Sequence, residues 1–246
     1  TRIADDAVDV GLGRINRLLN QLHEYAGPKF TSAERASMGT NDSYGGITGA
    51  IRAKSMRRIF DRLGMFGGGA EPRSLFVDIG SGSGRVVFYA AHLGIPAIGF
   101  DIDDYVVRCS YHARQHLKKS DALLLKAPAV LLKADVFRVQ SLEPATHAFA
   151  LFGYSAMVNA TALLVASSES VVWFAAIAPH SEDLQEAGLL DEADGSVTVL
   201  SGVEMTVSGY RYTAFIIHMT PPRRQRVLTT TAHARKGALA PDVDFS

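Results

Sequence analysis

One short stretch constrains this chain more than any other: Leu75-Phe76-Val77-Asp78-Ile79-Gly80-Ser81-Gly82-Ser83-Gly84-Arg85-Val86-Val87. It reads as an apolar strand, a glycine-rich turn and the start of an apolar helix. A turn this tight needs backbone angles that glycine adopts without strain. Missing side chains also let a ligand lie against the backbone, with amides at the helix start pointing toward it. A carboxylate, Asp101, follows Gly80 by 21 residues and closes the apolar run Ile95 to Phe100. An acid there can accept both hydroxyls of a ribose.

The glycine spacing discriminates between ligands. A dinucleotide fingerprint requires Gly-x-Gly-x-x-Gly. Here the third glycine, Gly84, comes one residue early, and Arg85 stands at the dinucleotide position. Asp78 precedes the turn by two residues. The acid-x-Gly-x-Gly-x-Gly pattern resembles the first motif of the S-adenosylmethionine-dependent methyltransferase superfamily, which implies that cofactor. The competing reading is a glycine turn in some other α/β protein. Strand, Asp78, glycines, helix and Asp101 together favour the cofactor.

From Ser74 onward, strand and helix patterns alternate, which implies a mainly parallel sheet covered on both faces. Strands are predicted at Leu75–Ile79, Ala97–Phe100, Val130–Lys133, His147–Leu151 and Val171–Ala176. Helices fall at Gly84–Leu93, closed by Gly94, from Asp103 as cap to about Lys119, near Met157–Ala166, and at Ser181–Gly188. Val197–Val207 and Tyr210–Met219 read as long strands around a Ser208-Gly209 hairpin. The expected fold class is α/β, a seven-stranded, mostly parallel, Rossmann-like methyltransferase sheet with an antiparallel C-terminal hairpin.

Ahead of it lies a small helical extension. Asp9–Tyr25 has helical apolar spacing and stops at Gly27-Pro28. A second helix, about Gly49–Leu63, has Ile51, Met56, Ile59, Phe60 and Leu63 on one side and Lys54, Arg57 and Arg58 on another. Gly67-Gly68-Gly69 is a flexible joint. The organisation is therefore residues 1–70, extension with a cofactor-covering loop; 71–220, methyltransferase core; 221–246, a basic, flexible tail. The tail carries Arg223, Arg224, Arg226, Arg235 and Lys236. A solvated end and a contact with phosphates or an acidic partner stand about equal there.

Composition narrows the rest. Among 246 residues, 47% are hydrophobic, ample for a core, and the formal net charge is zero, so no global field points to nucleic acid or membrane. One cysteine, Cys109, excludes an internal disulfide and fits a reducing, intracellular compartment. No apolar run approaches the ~20 residues of a membrane helix. The sequence opens at Thr1 rather than Met, which leaves room for a removed targeting peptide.

Ligands of such sheets sit beyond the carboxyl ends of the strands. The expected cofactor contacts there are Asp78, Gly80, Ser81, Gly82 and Gly84 at the turn. Asp101 takes the ribose and Ile102 an adenine face. Asp135 takes the adenine amino group, with Val136 beside it. Phe152 and Gly153, followed by Tyr154 and Ser155, border the methyl group. Asp135 as a turn residue is the plainer alternative, and Asp103 and Asp104 read as caps. His112 and His116 are four apart, but with no third ligand no metal is expected.

Tyr44-Gly45-Gly46-Ile47-Thr48, ahead of a helix and then the glycine motif, resembles the disruptor-of-telomeric-silencing family of non-SET histone lysine methyltransferases. The likeness spans Tyr44 to Met219. It implies a loop of Tyr44, Gly45 and Thr48 over the cofactor's methionine end. It also implies a protein substrate such as a histone in a nucleosome, and a nuclear location, with the mitochondrion as alternative. This chain departs from the family. Asp101 replaces its Glu, Gly46 replaces another Glu, and Ile47 is extra. Phe152-Gly153-Tyr154 replaces its Asn-Asn-Phe, and the hairpin lacks its Trp. Tyr154 is then the one catalytic candidate, an aromatic wall of the acceptor channel. The alternatives are an RNA methyltransferase, or a methyltransferase-fold protein without catalysis that binds or assembles a ribonucleoprotein.

Overall fold

The computed structural model describes residues 13–15, 51–65, 74–120, 124–152, 155–178, 180–191, 196–204 and 211–238. The strand that carries the glycine turn, β1 (Phe76–Ile79), is buried along its whole length. It lies between β2 (Ala97–Asp101) and β4 (His147–Leu151), parallel to both, with Ile79 opposite Phe100 on one side and Ala150 on the other. β3 (Ala129–Lys133) extends the parallel set beyond β2, and β5 (Trp173–Ala178) extends it beyond β4. β7 (Arg211–His218) runs antiparallel to β5, and β6 (Val197–Glu204) pairs antiparallel with β7. The order is β3-β2-β1-β4-β5-β7-β6. This is the α/β, Rossmann-like, seven-stranded methyltransferase fold expected from the alternating pattern. The expected turn at Ser208-Gly209 lies outside the described residues.

Strand residues alternate between two cores, as side chains two apart share a sheet face. Phe76, Phe149, Ala175 and Ile177 belong to one, with α1 (Ala53–Arg62), α2 (Arg85–His92) and α3 (Asp104–Ser120). Val77, Ile79, Ala148, Phe174 and Ala176 belong to the other, with α4 (Ser155–Ser167), α5 (Glu182–Glu186) and α6 (Pro221–Ala238). Each Phe or Ile taken fully out of water contributes about 1.5–3 kcal/mol.

The predicted apolar side of the second N-terminal helix is the buried one. Ile51, Met56, Ile59, Phe60 and Leu63 are all inside, and the Phe60 ring meets the Phe76 ring edge-on at 5.5 Å. At its start, Arg52 N donates to Glu204 O at 2.9 Å, and Glu204 N donates to Ser55 Oγ at 3.1 Å. Just past its end, the Leu63 carbonyl hydrogen-bonds His147 Nε2 at 3.2 Å. α1 therefore crosses from the carboxyl edge of the parallel strands to their amino edge. Of the predicted helix at Asp9–Tyr25, only residues 13–15 are described, and they are helical.

The expected flexible tail, 221–246, is corrected over its described part. Residues Pro221–Ala238 form α6, and it packs on the sheet. Its inward positions at helical spacing are Arg223, Val227 and Thr231, all buried. With one apolar residue among three, the stripe was invisible to a hydrophobic pattern. Arg223 is 0% exposed and donates to the His218 carbonyl. Arg224 reaches the end of α4, where Nη1 donates to Val165 O (3.1 Å), Ala166 O (3.3 Å) and Ser168 O (2.7 Å), and Nη2 to Val171 O. A cation suits a helix C-terminus, where carbonyls lack partners. Arg226 bonds Gly188 O at 2.9 Å and pairs with Asp191 at 2.9 Å. Arg223, Arg224 and Arg226 thus hold α6 to the rest of the fold.

Candidate functional site

The carboxyl ends of β1, β2 and β4 reach one edge, and the glycine turn crosses it. Gly80 N and Ser81 N both donate to Phe100 O at 2.9 Å, and Gly84 N closes the turn on Ser81 O at 2.8 Å. Gly80, Gly82 and Gly84 have φ of +75°, +51° and +75°, angles that L side chains rarely adopt. The three differ in surroundings. A Cβ on Gly84 would lie 2.8 Å from Leu131 Cδ2, so that glycine permits close helix–sheet packing. A Cβ on Gly80 would lie 2.9 Å from Met157 Cε. A Cβ on Gly82 would meet nothing within 4 Å. Gly82 is the bare floor of the turn.

Asp101 ties this turn to β2. Its Oδ2 accepts from Gly82 N at 2.9 Å and its Oδ1 from Asp103 N at 3.0 Å. Each carboxylate oxygen keeps a second lone pair for a ligand. Asp78 is 2% exposed. Burial, and then the charge of Asp101, hold it well above the ordinary value of 3.8. Asp101 is raised too, because burial outweighs the amides of Asp103 and Gly82 that stabilise its charge. Two carboxylates that repel each other beside a bare glycine favour a cation and disfavour a pyrophosphate. S-adenosylmethionine carries a sulfonium and an ammonium together with ribose hydroxyls, so the donor set fits it.

Around this centre the remaining residues sort themselves. Ile102 is 54% exposed, an apolar face open at the strand edge. Asp135 Oδ1 accepts from Phe137 N at 3.0 Å, forming the local turn that was the plainer expectation. Val136 is half-buried beside it, and Ala134 N bonds Asp101 O at 2.9 Å, which fixes this loop to the β2 end. Ser81 is buried. Phe152 is a correction in part. Its ring is 1% exposed and packs edge-on to Phe174 at 6.4 Å, so its side chain belongs to the core. Tyr44, Gly45, Thr48, Gly153 and Tyr154 lie outside the described residues. Asp103 Oδ1 caps α3 through Val106 N at 3.4 Å, and Asp104 pairs with Arg108 at 2.8 Å. Among the described residues no three metal-binding side chains cluster, and no helix is long and apolar enough to cross a membrane.

Three positions were missed by the sequence reading. Met157, on the first turn of α4, places its methyl against Gly80. Phe137, 58% exposed, stands next to Val136. Gly99 faces Ser81 and Val87, where a Cβ would lie 2.6 Å from both side chains. A glycine inside an apolar strand was the available signal for the last.

Strand order, glycine turn and acid at the β2 end define the class: the fold is that of the class I S-adenosylmethionine-dependent methyltransferases. The class is read from the strand order itself. No family model matches the chain, and no curated protein matches it. Among solved structures it is similar to magnesium protoporphyrin IX methyltransferase from Synechocystis PCC 6803 with bound SAM, at 16% identity and TM-score 0.48, covering 68% of this chain and 79% of that one. It is also similar to an rRNA methylase from Streptococcus thermophilus, at 16% identity and TM-score 0.48, covering 70% and 100%. A third likeness is to an RNA methyltransferase from Salinibacter ruber in complex with S-adenosyl-L-homocysteine, at 14% identity and TM-score 0.47, covering 70% and 94%.

Proposed function

We propose that this chain binds S-adenosylmethionine at the carboxyl edge of its sheet and transfers the methyl group to an acceptor entering there. One observation carries the reading: Gly82, with open space where its Cβ would be, held by the carboxylate at the end of β2. In this reading Asp101 takes the ribose hydroxyls, and Asp78 with Asp101 offsets the cofactor's positive charge. Ile102 and Val136 flank the adenine near Asp135. The bound cofactor supplies an activated methyl on a good leaving group. The chain's contribution is to align acceptor, methyl and sulfur, which supplies much of the rate.

In its finer form the reading is of a protein lysine methyltransferase. The resemblance of Tyr44-Gly45-Gly46-Ile47-Thr48 and of the glycine segment to the histone lysine family supports it. A lysine must shed its proton, which a desolvated, aromatic-lined channel would favour, and the resemblance assigns that aromatic role to Tyr154. Calorimetry with S-adenosylmethionine tests the cofactor step, with micromolar binding expected. Gly82→Arg should abolish that binding by filling the floor, while the variant stays folded. Absence of heat at millimolar cofactor refutes the reading. A methyl-transfer assay across histones, ribosomal proteins and RNA then tests the acceptor. Labelling of RNA alone overturns the lysine form and leaves the cofactor step standing.

A further inference from the structure

Lys54, Arg58 and Arg62 of α1 are exposed, whereas Arg223 of α6 is buried. From Arg52 to Arg62 the chain places Arg52, Lys54, Arg57, Arg58 and Arg62 against one acid, Asp61, a local charge of +4 in a chain of zero formal net charge. Arg52, Lys54, Arg58 and Arg62 are exposed and Arg57 is half-buried. Arg52 pairs with Glu204 at 3.5 Å, and both are about half exposed. Arg58 touches Ser201 O at 3.4 Å.

Lys54, Arg58 and Arg62 recur every four residues, so they form one stripe with a step of about 6 Å along the axis. That step is close to the distance between successive phosphates of an extended polynucleotide. The stripe begins beside Glu204, at the same sheet edge as the glycine turn, and runs toward the opposite edge, where Leu63 meets His147. We infer that the outer face of α1 binds a single-stranded nucleic acid through its phosphate backbone, laying the strand along a path that starts at the candidate cofactor edge.

Three features select this occupant. Among the described residues of α1 and its ends, every large apolar side chain is buried. A docking peptide needs apolar anchors at its centre, whereas a polyanion does not. Arginine dominates the face, and its planar fork suits phosphate oxygens. Finally, α1 lies flush on the sheet through Ser55, Met56, Ile59 and Phe60, so it offers one exposed face and no protruding helix to enter a duplex groove. The inference is independent of the methyl acceptor, since its test reads polynucleotide binding without cofactor.

The experiment is fluorescence anisotropy of a labelled 20-nucleotide oligouridine titrated with the full chain at 50 and 200 mM salt. The combined Lys54→Gln, Arg58→Gln, Arg62→Gln variant should bind at least tenfold more weakly at the lower salt. Its log K against log salt should be shallower by about 2, the loss of three phosphate contacts. A matched variant of three exposed lysines elsewhere, Lys118→Gln, Lys119→Gln and Lys126→Gln, should change affinity less than twofold. Lys54→Glu alone repeats the test if the triple variant fails to fold, with threefold or greater weakening expected. Absence of binding by the unmodified chain, equal loss in the two triple variants, preference for duplex RNA, or equal affinity for polyglutamate would each overturn the inference.

Discussion

α1 and α6 are both arginine-rich helices on opposite faces of one sheet, and they use their charge in opposite ways. In α6, Arg223, Arg224 and Arg226 stand at inward or end-facing positions. Arg223 is fully buried and Arg224 closes the carbonyl end of α4. In α1 the inward positions are Met56, Ile59 and Phe60, and Lys54, Arg58 and Arg62 are exposed. Composition does not separate the two cases; position around the helix axis does. A buried guanidinium must meet carbonyls or carboxylates, because burial without partners costs several kcal/mol. An exposed one is solvated and contributes little to the fold.

The largest effects should therefore appear in α6. Arg223→Ala empties a fully buried site and removes one of two donors to the His218 carbonyl, Thr220 N being the other, at an expected cost of about 3–5 kcal/mol. Arg224→Ala strips donors from the end of α4 and is expected to cost about 2–3 kcal/mol, less because water reaches part of the side chain. Urea unfolding followed by circular dichroism measures both. A cost below 1 kcal/mol for either would erase the distinction between the helices.

The site holds inward charge of a third kind, which the proposed function assigns to a ligand. Asp101→Ala should weaken S-adenosylmethionine by about 1–3 kcal/mol, through unpaired ribose hydroxyls and a released Gly82 amide. Asp104→Ala, whose partners are Arg108 and Lys133 at the surface, should leave affinity unchanged. Equal losses in calorimetry would mean that both act through folding.

Asp78 adds a pH dependence with a definite sign. Its folded form holds a proton above 3.8, where the unfolded chain has released it. The folded state then binds more protons, so stability falls as pH rises from 3.8 through the raised value. Binding of a cation favours the ionised pair, so cofactor affinity rises over the same window. Asp78→Asn should flatten the stability profile, make the ligand-free protein more stable at neutral pH and weaken the cofactor. Urea midpoints and calorimetry between about pH 4 and pH 8 test this; an unchanged profile would place the charge of Asp78 elsewhere.

How much of this was legible depended on whether the deciding signal was local. β4 falls at its expected residues, His147–Leu151, because an apolar run between turn residues is a local pattern. Asp101 closes β2, one residue past the expected strand end, because an apolar run ending in an acid is likewise a local pattern. α6 was missed because Arg223 and Thr231 occupy core positions beside Val227, so the inward stripe shows no apolar pattern. Phe152 was assigned to the pocket from its place after β4, but its ring direction is set by Phe174, a residue on another strand. Met157 and Gly99 are close approaches between elements, and no spacing in one element announces them.

The smallest expected effect tests the outward helix, and its sign is informative. Lys54 sits in the first turn of α1, where the helix dipole disfavours a cation. Arg57 and Arg58, three and four residues on, are like charges at neighbouring positions. Lys54 is exposed, and among the described residues no acid pairs with it. Lys54→Glu removes the repulsion, reverses the dipole term and creates a favourable pair with Arg58. It should raise stability by about 0.5–1 kcal/mol, read from the urea midpoint at low salt, and the gain should shrink as salt screens it. Arg224→Glu in α6 should do the reverse and unfold the chain at lower urea. A loss of more than 1 kcal/mol on Lys54→Glu would show that α1 spends its charge on the fold as α6 does. A gain would mean that the lysine is retained against the interest of stability, as expected of a residue kept for a partner.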